Sequence, residues 1–242
     1  MKQSNSAMTH FSQSPLFSAP QKPEIRSVLL SFKDPGSAIT HLIAFVLTLL
    51  ASIPLWICAK QTNDMTSLLS MIIFSFSMMA LYAASTCYHS FDTTPKANRV
   101  RKKIDHMMIF ILIAGSYTPI CLLALPTPTS AILLAAVWSL AFLGCILKLC
   151  WIYCPKWVSS VLYIAMGWTC LFALPQLLQS LHTAQFIWLL AGGIIYTIGG
   201  VIYALKLPLF NSLHPHFGSH EIFHLFVMGG SLCHFVVMFL LL

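Results

Sequence analysis

Hydrophobic and polar positions divide the chain into long apolar runs separated by short polar connections. Seven runs reach spanning length, about twenty residues each: approximately 37–59, 67–91, 104–125, 129–150, 157–179, 185–205 and 220–242. The pattern predicts seven transmembrane helices. Ahead of them, residues 1–24 are polar and rich in Ser, Gln and Pro, which predicts a disordered tail and no signal peptide. Ile25, Val28, Leu29 and Phe32 then recur at helical spacing, flanked by Arg26 and Lys33. That spacing predicts a short amphipathic helix over 25–33, lying on the membrane surface. Asp34-Pro35 reads as an N-cap and first-turn proline opening the first span, so 34–242 is the transmembrane domain.

Composition agrees. The chain has 242 residues, 58% hydrophobic and 8% charged, whereas a soluble domain carries about 25% charged residues. A net charge of +7 would suit a nucleic-acid partner, but the basic residues sit in short connections between apolar runs, so the charge is topological. Of the 13 Lys and Arg, four lie before the first span (Lys2, Lys22, Arg26, Lys33) and five in the second connection (Lys96, Arg99, Arg101, Lys102, Lys103). The fourth connection has Lys148 and Lys156, and the sixth Lys206. With seven spans all of these share one side and only Lys60 faces the other. The positive-inside rule then places the N-terminus in the cytoplasm and the C-terminus outside.

Two smaller patterns complete the survey. The eight cysteines fall mostly within apolar runs, so no disulfide framework is expected. Cys150 and Cys154 share a helical face and read either as a metal pair or, preferred, as small apolar fillers beside Trp151 and Trp157. Gly192-Gly193, Gly199-Gly200 and Gly229-Gly230 mark faces where helices can approach closely.

Chemistry enters at His220-Glu-Ile-Phe-His224. Two histidines at i and i+4 lie about 40° apart on one helix face, a spacing that suits two imidazoles on one zinc. The alternative is a pair of interfacial histidines snorkelling toward headgroups. The predicted topology adds three residues at the same depth, near the cytoplasmic ends of their spans: His89, Ser85 one turn deeper, and Asp105. Three imidazoles (His89, His220, His224) with an open fourth position form the arrangement of catalytic zinc, which lowers the pKa of a bound water to about 7. Asp105 would hold that water and take its proton, and Ser85 would orient it or donate to a developing oxyanion. Asp105 has a plainer reading too, as a helix N-terminal carboxylate held by the dipole and by Lys102 or Lys103.

Ser85-Thr-Cys-Tyr-His89-Ser, then Ile104-Asp105-His106 running into Ile113-Ala-Gly115-Ser-Tyr-Thr-Pro119, then His220-Glu-Ile-Phe-His224 with His234 ten residues on, resemble the hemolysin III family. That family belongs with the adiponectin and progestin receptors, the PAQR proteins. The resemblance extends over all seven spans. It implies a cytoplasmic-side zinc held at the positions of His89, His220 and His224, and the roles given above for Ser85 and Asp105. The wider superfamily includes alkaline ceramidases, and amide hydrolysis of lipids is proposed for the receptors. The chain is most similar to the bacterial branch, named for a haemolytic phenotype, which implies the plasma membrane.

The expected function is therefore zinc-dependent hydrolysis of a lipid-like amide or ester entering from the membrane. The alternatives are a pore-forming or membrane-perturbing protein with structural zinc, and a ligand sensor. The partners expected are membrane lipids and a lipid-like substrate or ligand. His-Glu-x-x-His is also the zincin protease signature, with Glu221 as base, but that reading leaves His89 and Asp105 unexplained. His41, one to two turns into the first span, reads as either a support to the metal site or a packing histidine. His234, about 15 Å along the helix from His224, is too far to share the metal and is expected to hydrogen-bond a neighbouring helix. His10, His182, His214 and His216 receive no role.

Overall fold

The computed structural model describes residues 33–205 and 218–242. The predicted tail, most of the amphipathic helix at 25–33, Lys206, His214 and His216 lie outside them. Every regular element described is helical, and seven helical segments are long and apolar enough to cross a membrane. They are α1 (Pro35–Gln61), α2 (Met65–Ser90), α3 (Pro95–Leu123), α4 (Thr129–Cys150), a composite fifth span, α7 (Thr183–Leu205) and α8 (Ser219–Leu240). The fifth span joins α5 (Lys156–Gly167) to α6 (Leu174–Ser180) through a 3₁₀ segment at Trp168–Ala173. The seven predicted spans are all present.

Local chemistry sets the ends. Asp64 caps α2 by accepting from the Thr66 and Ser67 N–H groups at 3.0 and 2.9 Å. The Thr94 hydroxyl accepts from the Ala97 N–H at 3.2 Å, and Pro95 follows in the first turn of α3. One boundary departs from the hydropathy reading. The basic stretch 96–103 is not a loop but the first turns of α3, because capping chemistry, and not apolarity, starts this helix. Arg101 folds back over the connection before it, donating to the Phe91 carbonyl at 2.7 Å and to Asn98 Oδ1 at 2.9 Å.

Neighbours in sequence pack as neighbours in space: α1 on α2, α2 on α3, α3 on α4. The helix α8 closes the ring by packing on both α7 and α1, while α5 lies against α7 and more lightly against α3. The interior is filled by Leu55, Met71, Phe74, Val137, Val237 and Met238. Large apolar residues such as Ile132, Phe142 and Phe172 are exposed around the outside. In water that surface would be a liability; in hydrocarbon it is the expected outer face. Close approach needs small residues in two places. A Cβ on Gly115 would sit 2.1 Å from the Ser77 hydroxyl of α2, and one on Gly192 would sit 2.4 Å from the His234 ring of α8. The glycine-marked faces of α7 and α8 do meet.

The 3₁₀ segment is held from both sides. Tyr117 of α3 donates to the Gly167 carbonyl at 2.6 Å and accepts from the Cys170 N–H at 2.8 Å. Trp168 Nε1 donates to Thr197 of α7 at 2.9 Å. The reading of Cys150 and Cys154 needs correction. Cys150 ends α4 and is exposed, while Cys154 lies in the following connection, where its sulfur takes a hydrogen bond from Lys148 at 3.1 Å. They share no helical face, and Cys154 has a polar role. Lys148, counted above as a connection charge, lies inside α4 with no exposed surface.

Candidate metal centre

The site is built at one end of the bundle from α1, α2, α3 and α8. His89 is the penultimate residue of α2 and is buried. Its Nδ1 lies 3.0 Å from Asp34 Oδ2, and the Asp34 backbone N–H donates to the His89 carbonyl at 3.0 Å. The sequence reading gave Asp34 a capping role, yet its side chain makes no capping bond to α1. It spans to the neighbouring helix instead. A carboxylate accepting from Nδ1–H fixes the tautomer and leaves the Nε2 lone pair free.

On α8, Glu221 at the third position accepts from the Gly218 N–H at 2.8 Å and from the Ser37 hydroxyl at 2.7 Å. Both carboxylate oxygens are therefore committed to holding the start of α8 against α1, which weighs against Glu221 as a base. This brace presents His220 and His224 on one face, ring centroids 4.6 Å apart. His220 Nε2 lies 3.2 Å from His89 Nε2. His224 Nδ1 lies 3.3 Å from the Thr40 hydroxyl. That hydroxyl spends its hydrogen on the Gly36 and Ser37 carbonyls, so it accepts from Nδ1–H and frees the His224 Nε2.

His89, His220 and His224 thus bring three donor atoms within 4.8 Å of one another. Tetrahedral zinc with Zn–N of about 2.0–2.1 Å places its ligand nitrogens about 3.3 Å apart. The 3.2 Å between His89 and His220 is close to such an edge. Without an ion, the same contact is a hydrogen bond from the His220 Nε2–H to the His89 Nε2 lone pair. The donor set and the protonation imposed by Asp34 and Thr40 therefore fit a zinc ion.

Asp105 and Ser85, with His41, His220 and His224, line a cavity of about 190 Å³ that continues into the bundle past Ile113, Leu189 and Tyr196. The structure corrects the plainer reading of Asp105. It lies ten residues inside α3, and it is buried, so a terminal dipole does not account for it. Lys103 donates to the Leu149 carbonyl and Lys102 stacks over Tyr153 at 4.9 Å. The His106 Nδ1 lies 3.4 Å from Asp105 Oδ2. His41 is buried, its ring lies parallel to that of His224 at 3.7 Å, and neither of its nitrogens has a hydrogen-bond partner. His234 faces α7. It packs edge-on to Tyr196 at 5.3 Å, with its ring against Gly192.

Asp34 and Thr40 are the site residues that sequence reasoning missed. Asp34 carried a signal, since it is one of only six acidic residues and shares the predicted depth of the histidines. Thr40 carried none beyond its place beside His41.

Seven apolar helices with a three-histidine cluster at one end of the bundle define an integral membrane protein of a narrow class. A family model described as Haemolysin-III related matches residues 31–235. The chain belongs to the haemolysin III family. It is 37% identical over 212 residues to Hemolysin-3 of Bacillus cereus, covering 87% of this chain and 92% of the relative. It is also 37% identical over 199 residues to the Hemolysin-3 homolog of Bacillus subtilis (strain 168), covering 82% and 89%. A more distant similarity, 31% over 80 residues, joins 32% of the chain to 24% of the ADIPOR-like receptor IZH2 of Saccharomyces cerevisiae. That similarity supports the link to the PAQR superfamily. No solved structure matches the chain.

Proposed function

We propose that this protein is a zinc-dependent hydrolase acting on a lipid-like amide or ester at the cytoplasmic leaflet. The observation that carries the reading is the convergence of three imidazole donors, two of which, His220 and His224, line an apolar cavity also lined by a buried carboxylate and a hydroxyl. His89, His220 and His224 would hold the metal. When bound, zinc supplies Lewis-acid activation of a water molecule in its open position. The chain's own residues do the rest. Asp105 takes the proton of the attacking water, and Ser85 donates to the oxygen on which negative charge develops. The cavity walls seat an apolar chain and exclude bulk water. The test is purified protein incubated with a lipid extract, its products followed by mass spectrometry. Chelator-sensitive release of a fatty acid from an amide or ester lipid is the expected result; an unchanged lipid profile overturns the proposal.

A second reading has some support. The haemolysin and receptor names of the relatives favour a protein that perturbs membranes or senses a ligand, in which a metal at the three imidazoles would be structural. Under either reading we place the protein in the plasma membrane with the N-terminus cytoplasmic and the C-terminus extracytoplasmic, supported by the one-sided Lys and Arg distribution. A reporter fused after Leu242 is expected to report from outside, and one inserted within 93–94, between α2 and α3, from the cytoplasm. Both on one side would contradict seven spans.

A further inference from the structure

The connection between α4 and α5 holds a cluster that the candidate metal centre does not use. Lys148 has no exposed surface, and its Nζ lies 3.1 Å from Cys154 Sγ and 2.5 Å from Ser159 Oγ. The sulfur and the hydroxyl are themselves 3.2 Å apart, and the Tyr163 ring covers the ammonium at 5.8 Å. Among the described residues no carboxylate pairs with Lys148; the ion-pair contacts there are His89 with Asp34 and His106 with Asp105. An ammonium removed from water without a counter-ion is costly. The group placed to supply the negative charge is the thiol. Cys154 lies in the connection, outside the spans. Burial alone pushes its thiol up, but hydrogen bonds from Ser159 and Lys148 and the Lys148 charge outweigh that and hold it below its ordinary value.

The thiolate is the reactive form of cysteine toward peroxides, and its product condenses with nearby nitrogen. We propose that Cys154 and Lys148 form a peroxide-sensitive pair, in which oxidation by a hydroperoxide replaces the Nζ···Sγ hydrogen bond with a covalent Nζ–Sγ bond. In the first step the thiolate attacks the peroxide. An S–O bond forms, the O–O bond breaks, and the leaving oxygen takes a proton from the Lys148 ammonium. This gives a sulfenic acid, a neutral amine and, from hydrogen peroxide, water. In the second step the amine nitrogen attacks the sulfur, the S–O bond breaks, and the departing hydroxide takes an N–H proton as a second water. Sulfur is oxidised by two electrons and the peroxide is reduced; no further reagent is needed. The 3.1 Å separation already places nitrogen against sulfur. Cys87 and Cys150 are the more exposed thiols, yet neither has a cation in hydrogen-bond contact among the described residues.

The test treats the full chain in detergent with graded hydrogen peroxide, alkylates the remaining thiols, and reads peptide masses. Cys154 is expected to oxidise at least ~10-fold faster than Cys87 or Cys150. The peptide spanning Lys148 and Cys154 should lose about 2 Da, resist tryptic cleavage after Lys148, and recover both on thiol reduction. Lys148→Met should slow Cys154 oxidation to the rate of the exposed thiols, and Cys154→Ser should abolish the protection from trypsin. Comparison among thiols within the wild-type chain does not depend on any variant folding. Oxidation of Cys154 no faster than Cys87, or oxidation that leaves cleavage after Lys148 intact, overturns the proposal.

Discussion

Detergent-purified protein is expected to carry about one zinc per chain, and the His220→Ala, His224→Ala double variant none. The expectation rests on three donors being required at once. With both α8 imidazoles gone, His89 remains as a lone ligand, and Asp34 orients an imidazole that has no partners left. Asp34→Ala is the informative intermediate. It removes the acceptor of the His89 Nδ1–H but keeps the backbone bond from residue 34 to the His89 carbonyl, at 3.0 Å in the native chain. The α1–α2 junction should therefore survive while the ring loses its fixed tautomer. Loss of such a supporting group typically weakens metal binding about 10–100-fold. Zinc titration against a competing chelator reads all three proteins on one scale. Equal zinc in the wild type and the double variant would sink the metal assignment; an Asp34→Ala affinity equal to wild type would remove Asp34 from it.

The second large effect separates an enzyme from a protein whose zinc is structural. Asp105→Asn keeps the size of the side chain and its place on the cavity wall, and removes only the proton acceptor. Loss of a general base typically costs ~10²–10⁴ in rate. Turnover of any lipid substrate should fall by that factor while zinc and fold are retained. His89→Ala should behave differently. That side chain is buried between α1, α2 and α8, so its removal takes away a ligand and leaves a void, and both zinc content and thermal stability should drop. A hydrolytic rate unchanged in zinc-loaded Asp105→Asn would remove Asp105 from catalysis and give precedence to the sensing or membrane-perturbing reading.

Much of the fold is written in hydropathy, because in lipid every lipid-facing position must be apolar and every backbone group must be satisfied within its own helix. Seven runs gave seven spans, with ends shifted by a few residues where capping outweighs apolarity. At Pro95 the start of α3 moved nine residues, because a helix does not end where hydrocarbon does. The histidines were legible through depth: helices running in alternate directions return His89, His220 and His224 to one level. What depth cannot give is which side chains touch. Asp34 and His89 are 55 positions apart, and a local capping signal at Asp34-Pro35 explained the aspartate too readily. The stack of His41 on His224 depends on the rotation of α1 about its axis, and a hydrophobic pattern this uniform does not set that angle. Lys148 was hidden by its neighbourhood. A lysine two residues from a helix end looks like a snorkelling charge, and only the fold of the following turn shows that it points inward.

The double attachment of Asp34 to His89 has a consequence for where this domain can be cut. A chain trimmed to begin at Pro35 would retain every described helix, all three imidazoles and the described cavity wall. By sequence it would look like a complete minimal core. It would nevertheless lack both the carboxylate that aims one imidazole and the amide that pins the end of α2. A cut after Asp34 therefore removes a support of the site that lies outside every described helix, and a truncation series stepping through Asp34 should show that edge as a sharp loss of zinc affinity.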